Sequence, residues 1–228
     1  MNAHTTGTTE PNTGRTRAVV TATALAAALL GWSFRGAGGT ATRRWLQHWA
    51  TQAALGAGLA ALLRPRMGLR PPHVWSGLRL GSAAGATVAG AVAATTAVPA
   101  VRQAMAAREL PDPAWRWGLV DIPLGTVWAE EVAFRGALST ASRAAFGPTA
   151  GRLVQSAVFG LSHIADARAA GEPVWGTVLV TGVAGWVFDW LRARTGSLLA
   201  PMLAHLAVNE AGALIAIAVQ RRRAARGS

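Results

Sequence analysis

Val127-Trp128-Ala129-Glu130-Glu131-Val132-Ala133-Phe134-Arg135-Gly136 places two adjacent carboxylates and an arginine inside an otherwise apolar stretch, residues 117–141. If that stretch is membrane-embedded helix, each carboxylate near the bilayer centre costs about 2.5–3.5 kcal/mol even on the lenient insertion scale. Two such residues need a reason, and the default reason is a buried functional site.

The membrane reading rests on the length of the apolar runs. Uncharged runs cover Ala18 to Phe34, Trp45 to Leu63, Leu80 to Val101, Pro173 to Phe188 and Ala211 to Gln220, with shorter ones at Leu153 to Ala165 and Thr195 to Asn209. A bilayer crossing takes roughly 17–25 mostly apolar residues. Joining the last two runs across Glu210 and adding 117–141 gives about seven segments, with a range of six to eight. In 228 residues this leaves little chain for a soluble domain. The expected fold is all-α, a polytopic transmembrane helical bundle. Gly81, Gly85 and Gly90, or Gly56 and Ala60, are expected to let helix backbones approach closely where burial between helices supplies no drive.

Four regions follow: a polar N-terminal tail, 1–17, expected to be disordered; N-terminal transmembrane helices, 18–110; a core carrying the chemistry, 111–220; and a basic C-terminal tail, 221–228. Arg15 and Arg17 before an apolar run resemble a signal peptide's start. The run continues through Gly31-Trp32-Ser33-Phe34, however, so an uncleaved first helix is preferred. The net charge of +12 comes from arginine alone, since the chain has no lysine. The arginines fall mainly between apolar runs and at the C-terminus, with no aromatic-interleaved basic patch of the kind that binds nucleic acid. They read as loop and headgroup anchors, and tryptophans near run ends (Trp32, Trp45, Trp49, Trp75, Trp115, Trp117, Trp175, Trp190) read as interfacial belts. Arg221-Arg222-Arg223 favours a cytoplasmic C-terminus, and the Ala, Arg and Gly bias suggests a bacterial cell membrane. Cysteine is absent, which excludes disulfides and thiolate metal sites.

Chemistry concentrates in the second half. Residues four apart share a helix face, so Glu131 and Arg135 can pair while Glu130 projects about 100° away and stays free. Phe159 and His163 repeat that spacing, as do His205 and Asn209. Each motif also has a plain reading: an ion-paired lock between helices, a packed histidine, or interhelical hydrogen bonding. Three such features on successive apolar helices point instead to one site. Other acids read as structural: Asp189 as a helix-end pair with Arg192, Asp121 near the start of the glutamate helix, Glu210 turned about 100° from Asn209.

The order Glu-Glu-x-x-x-Arg, Phe-x-x-x-His, His-x-x-x-Asn resembles the family of intramembrane proteases that includes the type II CAAX prenyl endopeptidases and their bacterial relatives, the CPBP (CAAX protease and bacteriocin-processing) or Abi group. The Arg194-Thr195-Gly196-Ser197-Leu198 turn leading through Pro201 is also similar. The resemblance implies an endopeptidase acting on a membrane-associated peptide or protein. It assigns Glu130 as the base for water, His163 as the group that holds and polarises that water, and His205 and Asn209 as oxyanion donors, with Glu131, Arg135 and Phe159 supporting them. It leaves open a divalent metal such as zinc on His163, His205 and Glu130, although a metal-free glutamate–histidine site is preferred, because using Glu130 as ligand leaves only the paired Glu131 as base. Alternatives are a membrane channel or proton-coupled transporter, and a catalytically idle immunity or scaffold member of the family. The expected partners are membrane lipids and the substrate, with no nucleic acid; oligomeric state is left open.

Overall fold

The computed structural model describes residues 13–34 and 48–227. Residues 1–12 of the polar tail, together with Arg43, Arg44 and Trp45, lie outside the described residues. The described chain is helical throughout: α1 (Thr13–Phe34), α2 (Trp49–Leu63), α3 (His73–Thr95), α4 (Pro99–Ala107), α5 (114–146), α6 (148–162), α7 (Ile164–Ala170), α8 (Val174–Thr195) and α9 (Leu199–Gly227). Setting aside the short α4 and α7, this is the expected all-α bundle of seven helices.

Local chemistry explains where the helices break. Leu80 to Val101 was expected as one segment, but Pro99 bars the preceding residue from helical geometry. The chain therefore stops at Thr95 and restarts with Pro99 in the first turn of α4, bent by 97°. Gly147 adopts φ 82° and ψ 175°, and Pro148 opens the next helix, so α5 and α6 meet at a sharp bend. Within α5 two stretches, Trp117–Trp128 and Glu131–Leu138, are π-helical. Wide turns of this kind are uncommon and gather at functional sites. Pro123 lies inside the first of them.

Not every expected segment is a span in its own right. α1, α8 and α9 (Leu199–Ala225) are long and apolar enough to cross a membrane, and α3 with α4 makes a fourth if the bent pair counts as one. α2 has 15 residues, below the usual crossing length, and α5 carries the charges. Exposed tryptophans near three helix starts, Trp75, Trp115 and Trp175, fit interfacial anchoring.

α3 and α9 run side by side in the same direction, with Gly77 against Ser197 and Leu199, Gly81 against Ala200, and Gly85 against Leu203 and Ala207. A Cβ at Gly81 would stand 2.8 Å from the Ala200 Cα, so this seam requires glycine. The expected stripe is shifted by one step: Gly77 belongs to it, whereas Gly90 faces open space. Gly56 takes its expected role, meeting Trp128 and Ala129 of α5. On the other flank α1 and α2 lay Leu25, Ala26, Leu29, Leu30 and Leu59 over a core of Ala133, Phe134, Leu138, Val158 and Phe159. At one end of the bundle the α2–α3 loop closes on the α8–α9 turn: Leu198 N donates to Met67 O at 2.8 Å, and Gly68 at φ 61° lies so near the Gly196 carbonyl that no side chain fits.

Candidate active site

α5, α6, α8 and α9 converge on one buried polar cluster. Glu131 and Arg135 are both fully buried and form the i, i+4 ion pair, with Arg135 Nη1 3.2 Å from Glu131 Oε1. The same Oε1 lies 2.8 Å from His205 Nδ1. A carboxylate oxygen accepts, so Nδ1 carries the hydrogen of this bond. In the neutral imidazole Nε2 is then the lone-pair nitrogen, and it faces Glu130 Oε2 at 3.9 Å. Both glutamates thus reach one histidine.

Glu130 differs from its neighbour in exposure. Its side chain is 29% exposed against 0% for Glu131, and its Oε2 is buried without a hydrogen-bond partner. Glu131 Oε2 and the three guanidinium nitrogens of Arg135 are likewise without a hydrogen bond. Together these atoms leave polar capacity inside the protein, which a water or a substrate carbonyl can satisfy.

Phe159 organises the other side. Its backbone carbonyl is 2.8 Å from His163 Nδ1, and its ring meets His163 edge-on at 4.7 Å between centroids. A carbonyl only accepts, so His163 also carries a hydrogen on Nδ1, and in the neutral imidazole Nε2 is the lone-pair nitrogen. His163 itself is the junction between α6 and α7, with φ −88° and ψ 1°, a bridge conformation in which active-site residues recur. The Phe159 ring further lies 3.9 Å from the Arg135 guanidinium carbon and 6.2 Å, edge-on, from His205. Gly185 of α8 leaves the space for that ring, since a Cβ there would come within 2.9 Å of it.

Asn209, one turn beyond His205, donates its side-chain amide to the His205 carbonyl at 3.3 Å, leaving its second amide hydrogen for another acceptor. Glu210 faces away toward Gly118 of α5, as its angular offset requires. Asp121 pairs with Arg116 at 3.5 Å.

Two participants escaped the sequence reading. Phe188 of α8 stacks on His205 at 5.0 Å with an interplanar angle of 25°, and lies 4.9 Å from the Arg135 guanidinium carbon, so Arg135 is held between two aromatic rings. Asp189 is the second. It is fully buried and does not pair with Arg192 as expected; it accepts from Ser139 Oγ at 2.5 Å, from Arg152 Nε at 2.9 Å and from Arg143. Arg192 instead donates to the Arg66 carbonyl and to Thr140. The missed signal is a spacing: Glu131, Arg135, Ser139 and Arg143 recur every four residues along one helix.

The donor chemistry suits a divalent metal in part, because both histidines fix Nδ1–H on an oxygen and present Nε2, the usual arrangement of a metal-bound imidazole. Geometry does not complete it. Among the described residues no three histidine or acidic side chains come together as a ligand set, so no step is derived through a metal.

Residues 112–211 match the family model described as type II CAAX prenyl endopeptidase Rce1-like. No curated protein and no solved structure matches. The matched stretch contains every residue of the cluster and supports a CAAX-protease-like (CPBP) family; the chain's spanning helices make it an integral membrane protein.

Proposed function

We propose, from the likeness of residues 112–211 to the CAAX-protease-like family, that this protein is an intramembrane endopeptidase hydrolysing a peptide bond in a membrane-associated peptide or protein. One observation carries the reading. Of two adjacent glutamates, Glu131 is consumed by Arg135 and His205, whereas Glu130 keeps a partner-free oxygen opposite the Nε2 of His205.

Peptide hydrolysis needs a base for water, a proton for the leaving amine and donors for the developing oxyanion. Glu130 takes the proton from a water held beside it. His163, with its Nδ1–H tied to the Phe159 carbonyl, accepts a hydrogen bond from that water through Nε2 and aligns it. The spare amide hydrogen of Asn209 and the guanidinium of Arg135 are the available donors for the oxyanion. His205 becomes a donor there only once Nε2 is protonated, which the facing Glu130 can do after it has accepted the water's proton. The base thus passes its proton to a neighbouring imidazole that can hand it on to the amine. Glu131 stabilises the resulting imidazolium, as the buried carboxylate does in hydrolase triads.

The substrate is proposed only as a membrane-associated peptide or protein, with the lipid bilayer as the other partner. The test compares membrane-anchored peptide fragments from cells carrying the wild type or Glu130→Gln. Fragments that vanish with Glu130→Gln support the enzyme. An identical fragment pattern from both would return the chain to the idle immunity or scaffold reading. A bacterial membrane and a cytoplasmic C-terminus are also proposed. Because the chain has no cysteine, a single cysteine added after Ser228 reports its side of the membrane to an impermeant thiol reagent without background.

A further inference from the structure

The polar stripe on α5 does not end at Arg135. Four residues on, Ser139 and then Arg143 reach across to Asp189 of α8, and Arg152 reaches the same carboxylate from α6. Arg143 and Arg152 stand on opposite sides of the Gly147–Pro148 bend, so one carboxylate holds both arms. The bend matters because α5 carries Glu130, Glu131 and Arg135 while α6 carries Phe159 and His163. Any change in its angle moves the two halves of the cluster apart. Asp189 also adjoins Phe188, whose ring lies flat on His205 and caps Arg135.

We propose that Asp189 is a positioning residue of this site: it locks the α5–α6 bend through Arg143 and Arg152, and seats Phe188 against His205 so that His205 keeps Nδ1 on Glu131 and Nε2 toward Glu130. Its place in catalysis rests on the endopeptidase reading; its effect on geometry does not. Three donors spread over both oxygens suit this work, since a carboxylate held from α5 and α6 at once has little freedom to turn. The stacked Phe188 ring in turn flanks the imidazole on one face, and its π face favours the cation beside it.

Three readouts test the links separately, all in the full chain in micelles. Spin labels on Leu124→Cys and Leu161→Cys, at exposed positions of α5 and α6, measure the bend against a cysteine-free background. Ring-¹⁵N-labelled histidine, with the His205 signal identified by its loss in His205→Gln, reports which ring nitrogen carries hydrogen. Release of the Glu130-dependent fragment reports cleavage. Asp189→Asn is expected to broaden the spin-label distance distribution, to shift the His205 signals toward a mixed tautomer, and to slow cleavage about 10–100-fold, the usual cost of an ångström-scale misplacement. Phe188→Leu is expected to shift the His205 signals and slow cleavage while leaving the distance unchanged. A pentafluorinated phenylalanine at position 188, which keeps the shape and reverses the ring's electrostatics, is expected to do the same. If Asp189→Asn is not recovered folded, Arg152→Gln severs the α6 arm alone and is expected to broaden the distance. Wild-type distance and wild-type His205 signals in the recovered variant would overturn the proposal. Cleavage that survives Glu130→Gln would remove the endopeptidase reading and leave the distance and tautomer results to judge Asp189 on their own.

Discussion

Two buried ionic clusters meet α5, one around Arg135 and the other around Asp189 of α8, which grips α5 four and eight residues beyond Arg135, and they are finished differently. Around Asp189 both carboxylate oxygens are engaged, one by Ser139 and the other by Arg143 and Arg152. Around Arg135 one oxygen of each glutamate and all three guanidinium nitrogens lack a hydrogen bond. A buried polar group left unmade costs about 1–3 kcal/mol, and more when charged. One cluster is completed within the protein and the other is not, which is the contrast the proposed function draws between a group that holds structure and a group that meets a reactant. Burial alone does not draw it, since Glu131, Arg135 and Asp189 are equally inaccessible.

Substitutions should separate the two clusters by what is lost. Glu130→Gln is expected to abolish fragment release, a loss of about 10²–10⁴-fold for a general base, with membrane insertion and expression near wild type. His163→Ala and His205→Ala should follow it in activity. A fully active Glu130→Gln on an identified substrate would dissolve the contrast between open and closed clusters. Arg135→Ala should instead reduce stability, by about 3–5 kcal/mol, because it strands Glu131. Thermal unfolding in micelles checks this, and an unchanged midpoint would mean that the Glu131–Arg135 pair is not structural. Arg152→Gln removes one of three donors from the closed cluster and leaves a polar replacement, so about 1 kcal/mol is expected. A loss as large as that of Arg135→Ala would show the two clusters to be equally fragile. Exhaustive chelation should change cleavage least of all, leaving the rate within error of the untreated protein. Activity lost on chelation and restored by stoichiometric zinc, with one metal per chain that disappears in His163→Ala and His205→Ala, would assign the open cluster to a metal.

Most of this architecture is legible in the residues, for reasons that also say why the rest is not. Seven apolar segments become seven long helices because run length is a local property. The Glu131–Arg135 pair and the joint position of His205 and Asn209 follow from four-residue spacing. Chain breaks are harder: Pro99 splits an apolar run that hydropathy averages over, and Gly147–Pro148 sets the angle between the two helices that carry Glu130 and His163 without interrupting any pattern of spacing. Asp189 was matched to Arg192 because sequence proximity was the available guide. Its true partners lie 46 and 37 positions away, a choice made by packing. Phe188 carried no signal of its own, since one aromatic in an apolar helix reads as core. The meeting of both glutamates on His205 also depends on tertiary placement, because their nominal 100° separation argues against it.

The glycine seam between α3 and α9 bears on where this chain can be cut. The family match begins at residue 112, yet the helix bearing His205 and Asn209 lies along Gly77, Gly81 and Gly85, and the wall behind Phe159 is built partly from α1 and α2. The matched stretch is therefore expected not to fold as a separate unit. Expressed alone from residue 112, it would present a groove the width of a missing helix along α9 and an uncovered flank on α5. Three of the described helices before residue 112, α1, α2 and α3, form part of the mould in which that cluster takes its shape.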